Sequence, residues 1–285
     1  MEVVADGLYV PEGPALLADG SVIFTEQTLG RVSRLVGGVV EQVQYVGGAP
    51  NSCVVGSGGE IYVCQNGGVV GAWRSDDPRT PSIQVISGEL VTEVAHAVGA
   101  NALVAPNDLC FGPDGRLYFT DPAQAFDPAN RRAAGAIYSL GSTSRQEVFV
   151  GGVYCNGLGF TAGGELIWVE SYTRRLCALR ADGTVRVLCE LPEGQIPDGL
   201  AVATDGRIYI ATCGSHGISV VSPDGEYLGL ILLDERAYPS NLCFVDNALI
   251  VTDFGMEFET KPAMGRLWRV PVDAQGMEVQ LGSVR

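Results

Sequence analysis

Positive charge is scarce in this chain. Of 285 residues, 18 are Lys or Arg against 33 Asp or Glu, which gives a formal net charge of −15, and there are only two histidines. An acidic surface repels phosphate backbones and anionic lipid headgroups, which argues against nucleic acid or a membrane surface as a partner. No basic region followed by an apolar run opens the chain, and no apolar stretch approaches bilayer length, so a soluble, cytoplasmic protein is expected. The eight cysteines form no C-x-x-C pair. Most sit in β-like apolar runs, where a reduced thiol serves as a small hydrophobe.

Known catalytic signatures are missing too. Neither His96 nor His216 is accompanied by a G-x-S-x-G elbow, which argues against a Ser-His-Asp hydrolase. The glycine-rich stretches "VGGVV" and "NGGVVG" lack the Lys-Ser or Lys-Thr and the helix of a phosphate-binding loop. Long amphipathic helical patterns are absent. What remains is 46% hydrophobic and 18% charged, ample for a large core.

That apolar content is organised as a repeat. "ADGSVIFTE", "GSGGEIYVCQ", "GPDGRLYFTD", "TAGGELIWVE", "ATDGRIYIAT" and "FVDNALIVTD" each place a turn residue before a β-branched and aromatic run. The turn residues are Gly20, Gly59, Gly115, Gly164, Gly206 and Asn247, spaced by 39, 56, 49, 42 and 41. Such turns call for positive φ, which Gly and Asn tolerate. Upstream, "PEGPAL", "PNSCVV", "PNDLCF", "CNGLGF", "PDGLAV" and "PSNLCF" repeat as well, with a polar residue eight positions before the turn glycine in the first five copies. Stretches such as "GRVSRLVGG" and "GISVVSPDGEYLGLIL" supply two further strands per unit.

A repeat of about 40 residues with four strands is a propeller blade. Six copies predict an all-β, six-bladed β-propeller with four-stranded blades around a central metal-binding channel, occupying residues 1–285 as one domain. An all-β sandwich is the alternative, but it gives no reason for six equal phrases. The extra length from Ser75 to Ala105, with "GELVTEVAHAVGANALVAP", reads as a loop with one helical turn.

In a propeller the first strand of each blade lines the channel, so the residue just before it faces the axis. That position holds Glu12, Asn51, Asn107, Asn156, Asp198 and Ser240. Asn, Asp and Ser are common turn residues, whereas Glu is not. Six oxygen-bearing side chains on one axis form a hard donor set for Ca²⁺ or Mg²⁺. Glu12 and Asp198 together neutralise a divalent ion, and the neighbouring Pro and Gly would mount the ligand rigidly.

The motifs "PEGP", "PNDLCFGPDGRLYFTDP", "NGLGF" and "PDGLAV", in this order, resemble the regucalcin and gluconolactonase family of six-bladed propellers. The likeness runs from Glu12 to about Val270. The resemblance implies one divalent cation in the channel, Ca²⁺ first and Mg²⁺, Mn²⁺, Fe²⁺ or Zn²⁺ as alternatives. Its ligands would be Glu12, Asn107, Asn156 and Asp198, with Asn107 contacting either metal or substrate. It also implies Asp198 as general base or nucleophile. Sugar lactonases of this family carry an arginine just before the "ND", where this chain has Ala105 and Pro106.

The expected activity is therefore divalent-metal-dependent hydrolysis of a lactone, either a sugar lactone or a less polar lactone or ester. Asp108 is a second candidate base, or else a residue that orients Asn107. Asn51, Asp121, Tyr172, His216 and Asn241 occupy corresponding places in other blades and either line the pocket mouth or make turns. Two other classes stay open: the same scaffold running a phosphotriesterase, isomerase or strictosidine-synthase-like reaction, and a calcium-binding propeller without catalysis. A monomer or weak homo-oligomer acting on a small molecule is expected. Specificity is assigned to the loops Ser75–Ala105, Asp121–Gly135 and Phe254–Met264.

Overall fold

The computed structural model describes residues 1–127 and 129–284. Each expected repeat is a four-stranded antiparallel sheet, and six sheets stand around a common axis. Their innermost strands are Pro11–Leu16, Pro50–Val55, Leu109–Phe111, Cys155–Phe160, Pro197–Val202 and Pro239–Val245, which define blades 1 to 6. The all-β, six-bladed propeller read from the repeat is thus the observed architecture. Blade 6 takes its outer strand from the other end of the chain, where Glu2–Leu8 pairs with Gly265–Pro271.

Alternation makes the sheets and apolar burial joins them. One hydrophobic cluster fills each of the six interfaces between neighbouring blades. Between blades 6 and 1, for instance, Leu8, Ile250 and Leu267 pack on Val22 and Phe24. Covering both faces of every sheet in a closed ring leaves only the outermost edges unpaired.

The turn residues behave as the repeat requires in five copies, where Gly20, Gly59, Gly115, Gly164 and Gly206 have φ of 74° to 84°. The sixth copy, one residue shorter, differs: the positive φ falls on Asp246 (52°) and not on Asn247. The segment around 75–105 also differs from expectation. It holds no helical turn. Ser82–Ser87 and Leu90–Ala95 are the outer strands of blade 2, and Ala97–Val98 with Asn101–Ala102 forms a small hairpin. "LVTEVA" alternates in burial as an outer strand does, and that period of two prevails over the local helical reading. Among the described residues the helical segments are three single turns, and no helix is long and apolar enough to cross a membrane.

A candidate metal and substrate site at the channel mouth

The polar position of each repeat lies inside the strand opening, and the reason is a β-bulge. Pairing of the first two strands slips between Glu12 and Ala15, Pro50 and Cys53, Cys155 and Leu158, and Pro197 and Leu200. A bulge turns a side chain out of the alternating pattern. Here it brings Glu12, Asn51, Asn156 and Asp198 to the wall of one cavity of about 290 Å³, together with Asn107, which precedes its strand. The glycine after the ligand serves a need other than bending at two of three sites. Gly13 does have positive φ (48°), but Gly157 and Gly199 do not. A methyl on Gly157 would run into the Asp198 carbonyl and the Gly199 backbone, and one on Gly199 into Asn241.

Ser240, the sixth polar position, does not reach the cavity. It is fully buried, and its Oγ donates to the Pro11 carbonyl at 3.1 Å beside Thr252 Oγ1 at 2.9 Å. The shortened sixth repeat moves the axial place to Asn241, which is hydrogen-bonded to Glu12 from below the cavity.

Glu12 is 2% exposed and receives the backbone N–H of Gly13. Burial above all, then the charges of Asp198 and Asp108, push its carboxyl well above the ordinary range. Burial likewise pushes Asp198 up to about 7, although the Cys213 thiol donates to its Oδ2 at 3.2 Å and Asn156 bonds it as well. Asn156 Nδ2 donates to Ser171 Oγ at 3.0 Å, so its amide nitrogen is committed and its carbonyl oxygen is left for the cavity. The Oδ1 of Asn51 is buried and has no hydrogen-bond partner. No Lys, Arg or His is present among the described residues lining the cavity.

Asp108 is not on this wall. It lines a separate cavity at the far ends of the inner strands, beneath the tail at residues 275–280, and so does Asn241. Its carboxylate is taken up by Leu109 N–H at 2.9 Å, the Ser52 and Asn241 side chains and the Leu158 N–H.

Three further candidates are held by structural tasks. Asp121 accepts the N–H groups of Val104 (2.8 Å), Ala105 (3.0 Å) and Ala123 (2.9 Å), which fixes the loop but keeps its carboxylate off the cavity. The same place in other repeats does the same work: Glu26 holds Tyr9 N–H, Gln65 holds Ala49 N–H, Glu170 holds Val153 N–H and Asp253 holds Tyr238 N–H. His216 has φ of 60° and its Nδ1 lies 2.8 Å from the Ala237 carbonyl, outside the cavity lining. Tyr172 stands behind the wall, its hydroxyl accepting from Asp127 N–H at 2.6 Å and its ring against Phe126 and Tyr154.

Several lining residues escape the sequence reading. The residue after each anchoring position, namely Gln27, Asn66, Ser171, Cys213 and Phe254, faces the cavity in five of six blades. Its signal was the second strand of the repeat followed one residue further. Tyr154, Ile196 and Tyr238 stand two residues before the polar positions, the place that Val10, Ala49 and Ala105 hold in the other repeats, whereas Phe126 and Phe258 come from loops and carry no periodic mark. Of the loops assigned to specificity, residues 124–126 and Phe254, Phe258 and Glu259 do line the cavity, as do Val104 and Ala105. Residues 75–103 do not, and the hairpin at Val69–Gly71 takes their place.

Among the described residues, no three His, Cys, Asp or Glu side chains are grouped to hold a metal. The set here has two carboxylates, and its remaining oxygens come from amides, a composition suited to a hard cation.

Similarity to known proteins follows the same lines. A gluconolactonase of Zymomonas mobilis is 25% identical over 280 residues, covering 86% of this chain and 75% of that protein. A gluconolactonase structure from Xanthomonas campestris superposes with a TM-score of 0.75 at 22% identity, over 94% of this chain and 88% of the other. A calcium-binding regucalcin from Agrobacterium tumefaciens gives 0.78 at 17% identity, over 99% and 96%. Residues 10–255 match the family described as the SMP-30/gluconolactonase/LRE-like region, and the chain belongs to that family.

Proposed function

We propose that this protein is a divalent-metal-dependent hydrolase that opens a lactone ring, with Glu12, Asn107, Asn156 and Asp198 as the cation's ligands. The observation that carries the reading is the pairing of buried Glu12 and half-buried Asp198 with amide oxygens on a cavity wall that has no Lys, Arg or His among the described residues. Two carboxylates confined together need a cation or a proton between them. Asn51 Oδ1, buried without a partner, is a further oxygen awaiting a ligand, either cation or substrate. A bound cation would polarise the lactone carbonyl and acidify a water.

Asp198 takes the proton from the attacking water. Cys213 and Asn156 hold Asp198 in place, and Asn107 and Asn51 position the substrate carbonyl. Asp108, saturated with hydrogen bonds beneath the cavity, is a positioning residue in this scheme and supplies no base. The protein would act in the cytoplasm on a small molecule, as a monomer or weak homo-oligomer, with its eight unpaired cysteines reduced.

Acid release from a lactone panel tests this, measured after chelation and again with Ca²⁺, Mg²⁺, Mn²⁺, Fe²⁺ or Zn²⁺ restored. Activity should vanish on chelation, return with at least one cation, and be lost in Asp198→Asn. Full activity in the chelated protein would defeat the metal-dependent reading.

A further inference from the structure

Besides its polar groups, which include Gln27, Asn66, Gln124 and Glu259 beside the axial set, the cavity carries two aromatic groups from different sides of the ring. From blades 3 and 4, Phe126 and Tyr154 meet edge to face with centroids 5.3 Å apart, backed by Tyr172 at 5.2 and 4.9 Å. From blade 6, Phe254 and Phe258 lie 5.1 Å apart, and Tyr238 is 5.6 Å from Phe258. Blade 3 stands three places from blade 6 in the ring of six and blade 4 two places, so the two groups lie on different sides of the channel. Ile196 closes one side between them and Val69 with Val70 the other. The blade 6 wall is continuous with a buried apolar cluster of Val10, Ala49 and Val70.

Tyr154 holds a left-handed backbone, φ 61°, as does Val10 (53°) at the same place of the first repeat. Charge adds a second restriction. Glu12, Asp198 and Glu259 line the cavity, and among the described residues no cationic side chain lines it to meet an anion. At Ala105 the lining offers a methyl group.

On the lactonase reading above, we infer that the substrate is a neutral lactone whose ring carries an apolar alkyl or aryl substituent, seated between Phe126–Tyr154 and Tyr238–Phe254–Phe258. A polyhydroxylated sugar lactone would leave the hydroxyls seated between these rings facing hydrocarbon without partners, and a phosphorylated one would meet no cationic side chain among the described lining residues. A polar contact stands beside Phe126. Gln124 Oε1 is buried without a partner, while Nε2 is 3.3 Å from the Tyr172 hydroxyl. It is an acceptor for a single N–H or O–H near the start of the substituent.

The test is the specificity of the purified, metal-loaded full chain on a graded set. The set comprises glucono-1,5-lactone, its 6-phosphate, unsubstituted γ- and δ-lactones, and the same rings with alkyl chains of rising length, a phenyl group or an acylamino group. The expected result is kcat/KM rising about fourfold per methylene until the slot is filled, since each buried CH₂ contributes about 0.8 kcal/mol. The sugar lactones should be at least tenfold poorer than the best alkyl lactone. Ala105→Arg, at a partly exposed loop position, should narrow that gap from the sugar side, and Phe258→Ala should flatten the chain-length dependence without abolishing turnover of the unsubstituted ring. A preference for glucono-1,5-lactone would overturn this inference and leave the lactonase reading standing. Silence on every lactone would overturn both.

Discussion

The thiol of Cys213 bridges Asp198 and the next blade: its Sγ lies 3.2 Å from Asp198 Oδ2 and 3.1 Å from the Pro239 carbonyl oxygen. One blade earlier Ser171 occupies the equivalent place, donating to the Pro197 carbonyl at 2.7 Å and accepting from Asn156. Burial keeps the Cys213 thiol protonated, well above its ordinary pKa, so it acts as a donor that fixes a carboxylate and is no nucleophile.

Cys213→Ser should therefore keep kcat/KM within about threefold, because a hydroxyl has one proton to donate to either of the same two acceptors. Cys213→Ala should lower kcat about tenfold with a smaller effect on KM, and cost about 1 kcal/mol of stability for the lost donor. Steady-state kinetics beside a denaturant melt reads both. Equal activity in the two variants would show that the thiol does not orient Asp198.

Asp121 gives the opposite expectation. Its three N–H partners include Val104 and Ala105, both on the cavity wall. Asp121→Ala should cost about 2–4 kcal/mol and raise KM by letting that wall move, with kcat nearly unchanged in the folded fraction. A loss of kcat at constant stability would return Asp121 to the chemistry.

Cation binding should be strongly pH-dependent. Ordinary Asp ionises near 3.8, and in the cation-free fold burial holds Asp198 at about 7, with Glu12 raised as well. A raised folded-state pKa favours the fold most below 3.8, and that contribution fades as pH rises toward 7. The chelated protein should lose melting temperature over that window, and Ca²⁺ should restore more of it at pH 8 than at pH 5.5 while releasing protons. Asp198→Asn should shrink the difference between the two pH values. Equal Ca²⁺ stabilisation at both would contradict the ligand assignment.

The ring is closed by Glu2–Leu8, which pairs with Gly265–Pro271 and buries Leu8 against the cluster between blades 6 and 1. Deleting residues 2–8 should expose the edge of blade 6, broaden the unfolding transition and lower the midpoint by at least the 1.5–3 kcal/mol of one buried Leu. Trp268 sits on the newly exposed strand, its Nε1 2.7 Å from Asp253 Oδ2, and its fluorescence should change early in the melt. A sharp transition at an unchanged midpoint would show that this strand does not hold the ring.

Gly199→Ala should abolish cation binding while leaving the secondary structure intact. The added methyl meets the Asn241 side chain directly below Asp198, and the neighbouring backbone must shift to make room. Calorimetric titration with Ca²⁺ beside far-ultraviolet circular dichroism separates a lost site from a lost fold.

The amino-acid sequence determined the blade by itself, because strand alternation and turn glycines are local and recur six times. The same repetition made the axial residues Glu12, Asn51, Asn156 and Asp198 legible, since a position that returns in each blade is carried to the axis by symmetry. Repetition also accounts for the turn alternative at Asp121. "FTE", "VCQ", "FTD", "WVE" and "VTD" put a loop-anchoring residue at that place in five blades, and a feature so widely shared marks architecture. The tertiary structure alone decided the rest. The bulges re-aim the ligands, and the short sixth repeat exchanges Ser240 for Asn241 beneath the cavity. The apolar walls join Tyr154 and Tyr238, which hold one repeated place two residues before the polar positions of blades 4 and 6, to Phe126 and Phe258 from loops that share no period. They meet because six blades close into a ring, and closure is set by the packing of each blade on the next, a property no single stretch of the chain contains.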